Sequence, residues 1–298
     1  MFKKSVVALF TPFKDGLIDG DATARLVDWH ASQGTHALVV GGCTGEGNSL
    51  TPDEHEFLLK SALEGAAGRL PIIASTGAVT THETVTLSKR AQKIGVQGLM
   101  IMTPSVVKPL GEGLVAHFRA AHDAVDLPIM LYHNPGRTCG KLEDDTLEAL
   151  ASLPRLVAIK DSTDNLTWPL TLKHRFGDRF ALLSGEDLTC AAFLAQGGDG
   201  TVSVTANIVP HLYARLHDAW RAGDLATFFK TRDAIFPLSK AVLCVTNPIA
   251  LKCAASLMGL CRDELRLPLT PASPHARAFV ETTLHKAGLL TPGQARHA

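Results

Sequence analysis

The chain alternates between short apolar segments rich in β-branched residues and longer segments with helical periodicity. The apolar segments lie at residues 6–10, 37–40, 72–75, 99–102, 129–132, 157–160, 180–184 and 201–204. Strands that are apolar on both faces and joined by helices form parallel sheets covered by those helices. Eight such units in roughly 200 residues predict an α/β fold of the closed (β/α)8 type, a TIM barrel.

The segments between the apolar runs begin with residues that favour helix starts, such as Asp, Thr and Pro. We predict helices at residues 21–33, 52–67, 81–93, 113–125 and 142–153. A doubly wound open sheet is the alternative for this alternation. It is disfavoured because residues 10–16, FTPFKDG, do not form the GxGxxG loop of a dinucleotide-binding fold.

The strand pattern stops near Ile208, and the rest of the chain is typical of amphipathic helices. These lie at residues 212–222, 225–242, 248–258 and 273–287. We therefore predict a barrel over residues 1–224 and a C-terminal helical region over residues 225–298. That region either covers one side of the barrel or forms a subunit interface.

Composition excludes several classes of partner. The chain has 29 basic and 29 acidic residues, so it lacks the charge excess of nucleic-acid or anionic-membrane binders. A small molecule is the expected ligand. Six cysteines without CxxC spacing disfavour a zinc site or a disulfide framework and favour a reducing compartment. They are Cys43, Cys139, Cys190, Cys244, Cys253 and Cys261.

The location expected from the sequence is the cytoplasm. The N-terminal residues Met1 to Ser5 lead directly into the first apolar run, with no signal-peptide core. No apolar stretch is long enough to span a bilayer.

Lys160 closes the sixth apolar run, and the polar turn Asp161-Ser162-Thr163-Asp164 follows it. Active sites of TIM barrels lie at the carboxyl ends of the strands, so this amine is predicted to face the site. Removing a lysine amine from water disfavours its ammonium form and yields a nucleophile for carbonyl carbons. The structural alternative is a strand-end lysine in a salt bridge. We predict Schiff-base chemistry at Lys160.

Other strand ends also carry chemically useful residues. Tyr132 ends the strand predicted beside that of Lys160, and a phenol there suits proton transfer. Glycines and Thr44 after the second run expose N–H groups and a hydroxyl that can cradle a carboxylate. Turn glycines and a core tyrosine are the structural alternatives.

Several of these segments resemble motifs of the dihydrodipicolinate synthase and N-acetylneuraminate lyase family. The resemblance extends from the first strand to Pro271 and implies a class I aldolase barrel that needs neither cofactor nor metal. The segments are Gly42-Cys43-Thr44-Gly45-Glu46, Tyr132-His133-Asn134-Pro135-Gly136-Arg137-Thr138, Ile159-Lys160-Asp161, Leu183-Ser184-Gly185-Glu186-Asp187, Ser203-Val204-Thr205-Ala206-Asn207, Asn247-Pro248 and Leu265-Arg266-Leu267-Pro268-Leu269-Thr270-Pro271.

The resemblance also implies residue roles. Lys160 is expected to form an imine with pyruvate or another 2-oxo acid, and Tyr132 to act as general acid and base. The remaining residues are expected to bind substrate: Cys43 and Thr44 the 2-oxo acid carboxylate, Arg137 a carboxylate of the second substrate, with Gly185 and Val202 completing the site. A homotetramer or homodimer is the implied assembly.

The chain departs from the synthases in their proton relay of Tyr, Thr and a second Tyr from a neighbouring subunit. Cys43 replaces the threonine, and the segment Thr103-Pro104-Ser105-Val106 lacks the second tyrosine. A thiol is a weak donor and valine cannot donate, so water or another group must carry the proton. His133 replaces an asparagine and either joins proton transfer or is structural.

The feedback site at which lysine inhibits regulated synthases is also altered. Pro52, Val79 and Ser105 replace polar and aromatic ligands there, while His55 and Glu83 remain. We predict no strong inhibition by lysine.

Three functions follow from these observations. The first is condensation of pyruvate with aspartate semialdehyde, which Arg137, Thr138 and the C-terminal stretch favour. The second uses the same imine for aldol cleavage, dehydration or deamination of another 2-oxo acid, such as a 2-oxo-3-deoxy sugar acid, and Cys43 and Val106 favour it. The third is a non-catalytic protein that binds a 2-oxo acid.

Overall fold

The computed structural model describes residues 1–138 and 142–290. Its strands are β1 (Lys4–Ala8), β2 (Phe13–Lys14), β3 (Leu17–Ile18), β4 (Ala37–Val40), β5 (Ile72–Ser75), β6 (Gly98–Met102), β7 (Ile129–His133), β8 (Leu156–Asp161), β9 (Ala181–Ser184) and β10 (Gly200–Ser203). Eight of them close into a parallel barrel in the order β1, β10, β9, β8, β7, β6, β5, β4, and β4 pairs with β1. The predicted TIM barrel is confirmed, and the open-sheet alternative is wrong.

Strands β2 and β3 form a short antiparallel hairpin that the apolar pattern does not predict. Each strand has only two residues, too few for a period-two signal. Asp15 and Gly16 in the turn have φ values of 56° and 80°, as the two-residue hairpin turns with Asp-Gly require. Their N–H groups donate to Glu264, which fastens the hairpin to the C-terminal part of the chain.

The helices of the described residues lie between the barrel strands and after β10. They are α1 (Gly20–Ser32), α2 (Pro52–Ala66), α3 (Thr81–Ile94), α4 (Gly111–Ala124), α5 (Pro135–Thr138), α6 (Asp144–Ala151), α7 (Trp168–Phe176), α8 (Cys190–Ala195), α9 (Pro210–Ala222), α10 (Leu225–Val242), α11 (Ile249–Leu257) and α12 (Pro274–Lys286). Side-chain caps set several starts, because Asp19, Thr51 and Thr80 each accept an N–H from the first turn of the next helix. These caps explain why α1, α2 and α3 begin close to their predicted starts, whereas α4 and α6 begin two residues from theirs without a side-chain cap.

The apolar core has two shells, divided by the barrel wall. Along β1, Val6 and Ala8 face the barrel interior while Val7 faces the surrounding helices. The inner shell also includes Tyr132 and Val202, so two residues of the predicted site are themselves packed in the core. This packing fixes the strand ends from which the site is built.

Helices α10 to α12 share the outer shell with the barrel helices, through residues such as Leu238, Leu251 and Val280. Helix α10 begins at Leu225, where the predicted C-terminal region begins. Residues 291–298 of that region, like Cys139, lie outside the described residues. Within residues 1–138 and 142–290, none of the helices has the length and apolar character to traverse a membrane.

Candidate active site

A cavity of about 170 Å³ opens at the carboxyl ends of the barrel strands. The predicted site residues that border it are Cys43, Thr44, Tyr132, Arg137, Lys160 and Gly185. The other predicted residue, Val202, lies inside the barrel with no exposed surface, and Val204 borders the cavity instead. The structure thus brings six of the seven predicted residues around one cavity.

Lys160 and Tyr132 face each other across adjacent strands. The two residues pair in the register of β7 and β8, and the Lys160 Nζ lies 4.0 Å from the centre of the Tyr132 ring. Lys160 is 6% exposed. A nucleophile and a proton donor therefore lie within reach of the same bound carbonyl.

Gly185 gives the Lys160 side chain its room. A Cβ at position 185 would lie 2.9 Å from Cε of Lys160 and 2.0 Å from Oγ of Ser162. A side chain at this position would therefore force the Lys160 and Ser162 side chains to shift. The glycine lets the β9 end approach the lysine closely.

Asn134 orients the Tyr132 hydroxyl, a role that the sequence did not reveal. Its Nδ2 donates to the Tyr132 phenol oxygen at 2.8 Å. Because that bond occupies a lone pair of the oxygen, the phenol proton is available to another acceptor in the cavity.

The turn after β4 presents Thr44 to the cavity in a tightly fixed backbone. A Cβ on Gly47 would lie 1.9 Å from the Gly41 carbonyl oxygen, so the turn closes on itself only with glycine. The Thr11 hydroxyl donates to the Gly45 carbonyl at 2.6 Å. Thr44 itself is 4% exposed.

A buried ion pair anchors this turn to the C-terminal region. The Lys252 amine donates to Oε1 of Glu46 at 2.7 Å, and the backbone N–H of Arg266 donates to Oε2 at 2.9 Å. The side chains of Glu46 and Lys252 are 2% and 0% exposed. Burial lowers the pKa of the Lys252 amine, and the Glu46 carboxylate opposes that shift.

Acidic residues occupy the opposite rim. Burial raises the pKa of Asp161 to about 6 and raises that of Glu186, which borders the cavity. Asp187 accepts the N–H groups of Val204 and Thr205 at 3.0 and 2.7 Å, tying the β9 end to the β10 end. The cavity therefore has the Arg137 guanidinium and the Glu186 carboxyl on its border.

The chain matches the model of the Dihydrodipicolinate synthetase family over residues 1–287. It belongs to this family. A curated 4-hydroxy-tetrahydrodipicolinate synthase of Rhodospirillum centenum is 45% identical over 291 residues, covering 98% of this chain and 100% of the relative.

Solved structures agree with this family membership. Dihydrodipicolinate synthase from Aquifex aeolicus has a TM-score of 0.94 and 37% identity, over 96% of this chain and 98% of that chain. The chloride-inhibited enzyme of Acinetobacter baumannii in complex with pyruvate has a TM-score of 0.94 and 37% identity, over 97% of this chain and 100% of that chain. The motif resemblance is confirmed.

The structure locates the residues at which this chain differs from the proton relay of the synthases. Cys43 borders the cavity beside Tyr132, whereas Val106 is 79% exposed with φ of 69°. His133 alternates with Tyr132 along β7, and its ring centre lies 5.5 Å from that of Trp168. Burial lowers the pKa of His133 to about 4, so the ring is neutral near pH 7. Its position favours the structural role.

A second cavity of about 330 Å³ adjoins the first and shares Cys43 and Tyr132 with it. The residues singled out for the lysine site come together in its lining: Pro52, His55, Val79, Glu83 and Ser105. Among the described residues that line this cavity, Glu83 supplies the one carboxyl group.

Asn247 also borders the cavity, although sequence reasoning assigned it no role beyond its place in the Asn247-Pro248 segment. It lies between α10 and α11, far along the chain from Thr44, and no periodicity or strand-end rule points to it.

Across residues 1–138 and 142–290, no group of three or more His, Cys, Asp or Glu side chains is arranged to hold a metal ion.

Proposed function

We propose that the protein condenses pyruvate with aspartate semialdehyde through an imine on Lys160, as a 4-hydroxy-tetrahydrodipicolinate synthase. The observation that carries this proposal is the convergence of the Lys160 amine, the Tyr132 phenol and the Thr44 turn on one cavity. The name of the Rhodospirillum centenum relative and the pyruvate in the Acinetobacter baumannii complex support the choice of reaction.

The first step forms the imine. The Lys160 amine attacks the keto carbon of pyruvate, Tyr132 passes a proton to the developing alkoxide, and the carbinolamine loses water. The Thr44 hydroxyl and the N–H groups of its turn hold the pyruvate carboxylate. Lys160 supplies the covalent link, and the reaction requires no added cofactor.

The second step forms the carbon–carbon bond. The protonated imine withdraws electrons, so the methyl carbon gives a proton to the Tyr132 oxygen, which is left deprotonated by the loss of water. The resulting enamine attacks the aldehyde carbon, and Tyr132 returns the proton to the aldehyde oxygen. Arg137 at the cavity border suits the carboxylate of the aldehyde, since its guanidinium can bind both oxygens. The amino group of the aldehyde then attacks the imine carbon, closes the ring and releases Lys160.

The same imine serves a second candidate reaction: aldol cleavage, dehydration or deamination of another 2-oxo acid. Two observations favour it. Cys43 borders the cavity where the synthases have a relay threonine, and Val106 offers no hydroxyl.

One experiment separates these functions from a non-catalytic binder. Borohydride with pyruvate should trap a reduced adduct on the wild type and on Lys230→Ala, a surface control, but not on Lys160→Ala. A coupled assay with aspartate semialdehyde then separates the two reactions. Trapping without turnover of the aldehyde would favour the second candidate, and absence of an adduct on the wild type would refute both.

We propose assembly as a homotetramer or homodimer. In support, the segment after β6 exposes Val106, Val107 and Leu110 by 79%, 57% and 84%, and clustered apolar surface marks interaction sites. Light scattering should give a mass above that of one chain, reduced in Leu110→Ser but not in Leu17→Ser, which alters an exposed leucine elsewhere. A monomeric wild type would contradict this.

We propose a cytoplasmic location and a division into a barrel over residues 1–224 and a helical region over residues 225–298. Free thiols at each of the described cysteines, Cys43, Cys190, Cys244, Cys253 and Cys261, support the location. The start of α10 at Leu225 supports the division.

A further inference from the structure

Asn247 reaches the catalytic cavity from the C-terminal region and contacts the residue that is proposed to hold the substrate carboxylate. Its Nδ2 donates to Oγ1 of Thr44 at 2.9 Å, across 203 positions of sequence. Both side chains border the cavity that Lys160 also borders. The contact therefore links the C-terminal region to the site.

The direction of this hydrogen bond determines what Thr44 can do. A hydroxyl has one proton and two lone pairs, and the amide N–H occupies one lone pair. The Thr44 proton must then point elsewhere. Since Thr44 borders the cavity, its proton is available to an acceptor there, and a carboxylate accepts but cannot donate.

The backbone around Thr44 is fixed by its neighbours, whereas the Thr44 hydroxyl can still rotate. The backbone of the turn is fixed by the Thr11 bond to Gly45 and by the anchoring of Glu46 to Lys252 and Arg266. A threonine hydroxyl still rotates, and its orientation is set by its partners. Asn247 is the described side chain that hydrogen-bonds to it.

We propose that Asn247 is a positioning residue that holds the Thr44 hydroxyl as a donor toward the carboxylate of the 2-oxo acid joined to Lys160. This inference rests on the proposed function, because it assigns a task to the carboxylate subsite of that reaction. It also gives the C-terminal region a direct part in substrate binding.

The test uses half-maximal borohydride labelling of Lys160 by pyruvate, which does not depend on the second substrate. Asn247→Asp replaces the amide donor by a carboxylate that accepts the Thr44 proton. We expect the half-maximal pyruvate concentration to rise on the order of tenfold or more, with the same maximal labelling. Asn247→Leu, which removes the donor without adding charge, should give a smaller rise.

The added charge of Asn247→Asp also repels pyruvate, and a double-mutant cycle removes this contribution. In a Thr44→Val background no hydroxyl can be turned, so Asn247→Asp should raise the half-maximal concentration several-fold less than in the wild type. Thr44→Ser, which keeps the hydroxyl, should restore the full effect. Thermal unfolding of each variant checks that the fold is retained.

Each remaining outcome decides the matter. An unchanged half-maximal concentration in Asn247→Asp, or an equal rise with and without the Thr44 hydroxyl, would overturn the inference while leaving the imine intact. An unchanged value in Thr44→Val would overturn the carboxylate subsite and the inference with it. Absence of labelling on wild-type Lys160 would instead overturn the proposed function.

Discussion

Individual side chains in the cavity are set by their immediate neighbours. The Lys160 amine lies over the Tyr132 ring, and Asn134 holds the phenol oxygen so that its proton remains available. Gly185 leaves the space through which the lysine stem passes. At this scale the chemistry depends on small spaces and on the direction of single hydrogen bonds.

Gly185→Ala tests the space around the lysine. The new methyl group would lie 2.9 Å from Cε of Lys160, so the amine must move away from its position over Tyr132. We expect the rate of borohydride-trapped imine formation to fall by roughly tenfold or more, because moving a reacting group by a fraction of an ångström lowers the reaction rate by that order. In the control Gly113→Ala the new methyl meets only Pro109 at an ordinary 3.5 Å, and the rate should not change. A wild-type rate in Gly185→Ala would contradict the geometry.

Helix α11 and the segment around Arg266 contact the turn after β4, which carries Thr44. Glu46 in that turn is held by Lys252 of α11 and by Arg266, which also contacts the Ser49 carbonyl and Glu54. The side-chain hydrogen bond from Arg266 lowers the pKa of Glu54 to about 2. The C-terminal elements therefore fix the turn that carries Thr44.

Lys252→Met tests this anchor. It leaves the Glu46 carboxylate buried without its cation, and we expect the free energy of unfolding to fall by about 3–5 kcal/mol in chemical denaturation. The double variant Glu46→Gln with Lys252→Met should regain part of that loss, because no unpaired charge remains.

Arg232→Ala provides the control for the anchor. The Arg232–Asp233 pair is 45% and 66% exposed, so its loss should change the free energy of unfolding by less than about 1 kcal/mol. An equally small effect of Lys252→Met would show that the buried pair does not anchor the turn.

The cavity beside the site leads to a prediction about regulation. Val79 and Ser105 line it in place of the polar and aromatic ligands of regulated synthases. Fewer side chains can therefore bind the two charged amino groups and the carboxylate of lysine. The coupled reaction rate should stay level as lysine is added, and tight, saturable inhibition would refute the prediction.

At the scale of the whole molecule, the sequence predicts the barrel because its strands are apolar on both faces and end in polar turns. That same rule locates Lys160, Tyr132 and Thr44. It cannot find Asn247, because a contact across 203 positions leaves no local pattern. The resemblance, not this rule, implied Val202, and Val204 two residues later borders the cavity instead.

Buried histidines make the stability of the molecule depend on pH. Burial lowers the pKa of His30 from 6.5 to about 3. Between these values the unfolded chain binds more protons than the folded chain, so stability rises with pH and is lost as the pH falls below 6.5. The loss from His30 alone should reach about 2 kcal/mol by pH 5.

His30→Gln should flatten the pH dependence of the free energy of unfolding between pH 6.5 and 5, as measured by denaturant titration at each pH. The exposed His82 provides the control, and His82→Gln should leave the slope as it is. An unchanged slope in His30→Gln would contradict a buried neutral imidazole.

A crystal structure of the protein soaked in pyruvate would show whether Lys160 forms an imine with a 2-oxo acid whose carboxylate lies on the Thr44 turn. We expect continuous density from Lys160 Nζ to the second carbon of pyruvate, with the carboxylate within hydrogen-bond distance of the Thr44 hydroxyl. Pyruvate bound without a covalent link, or held away from Lys160, would show that Lys160 is not the imine-forming residue.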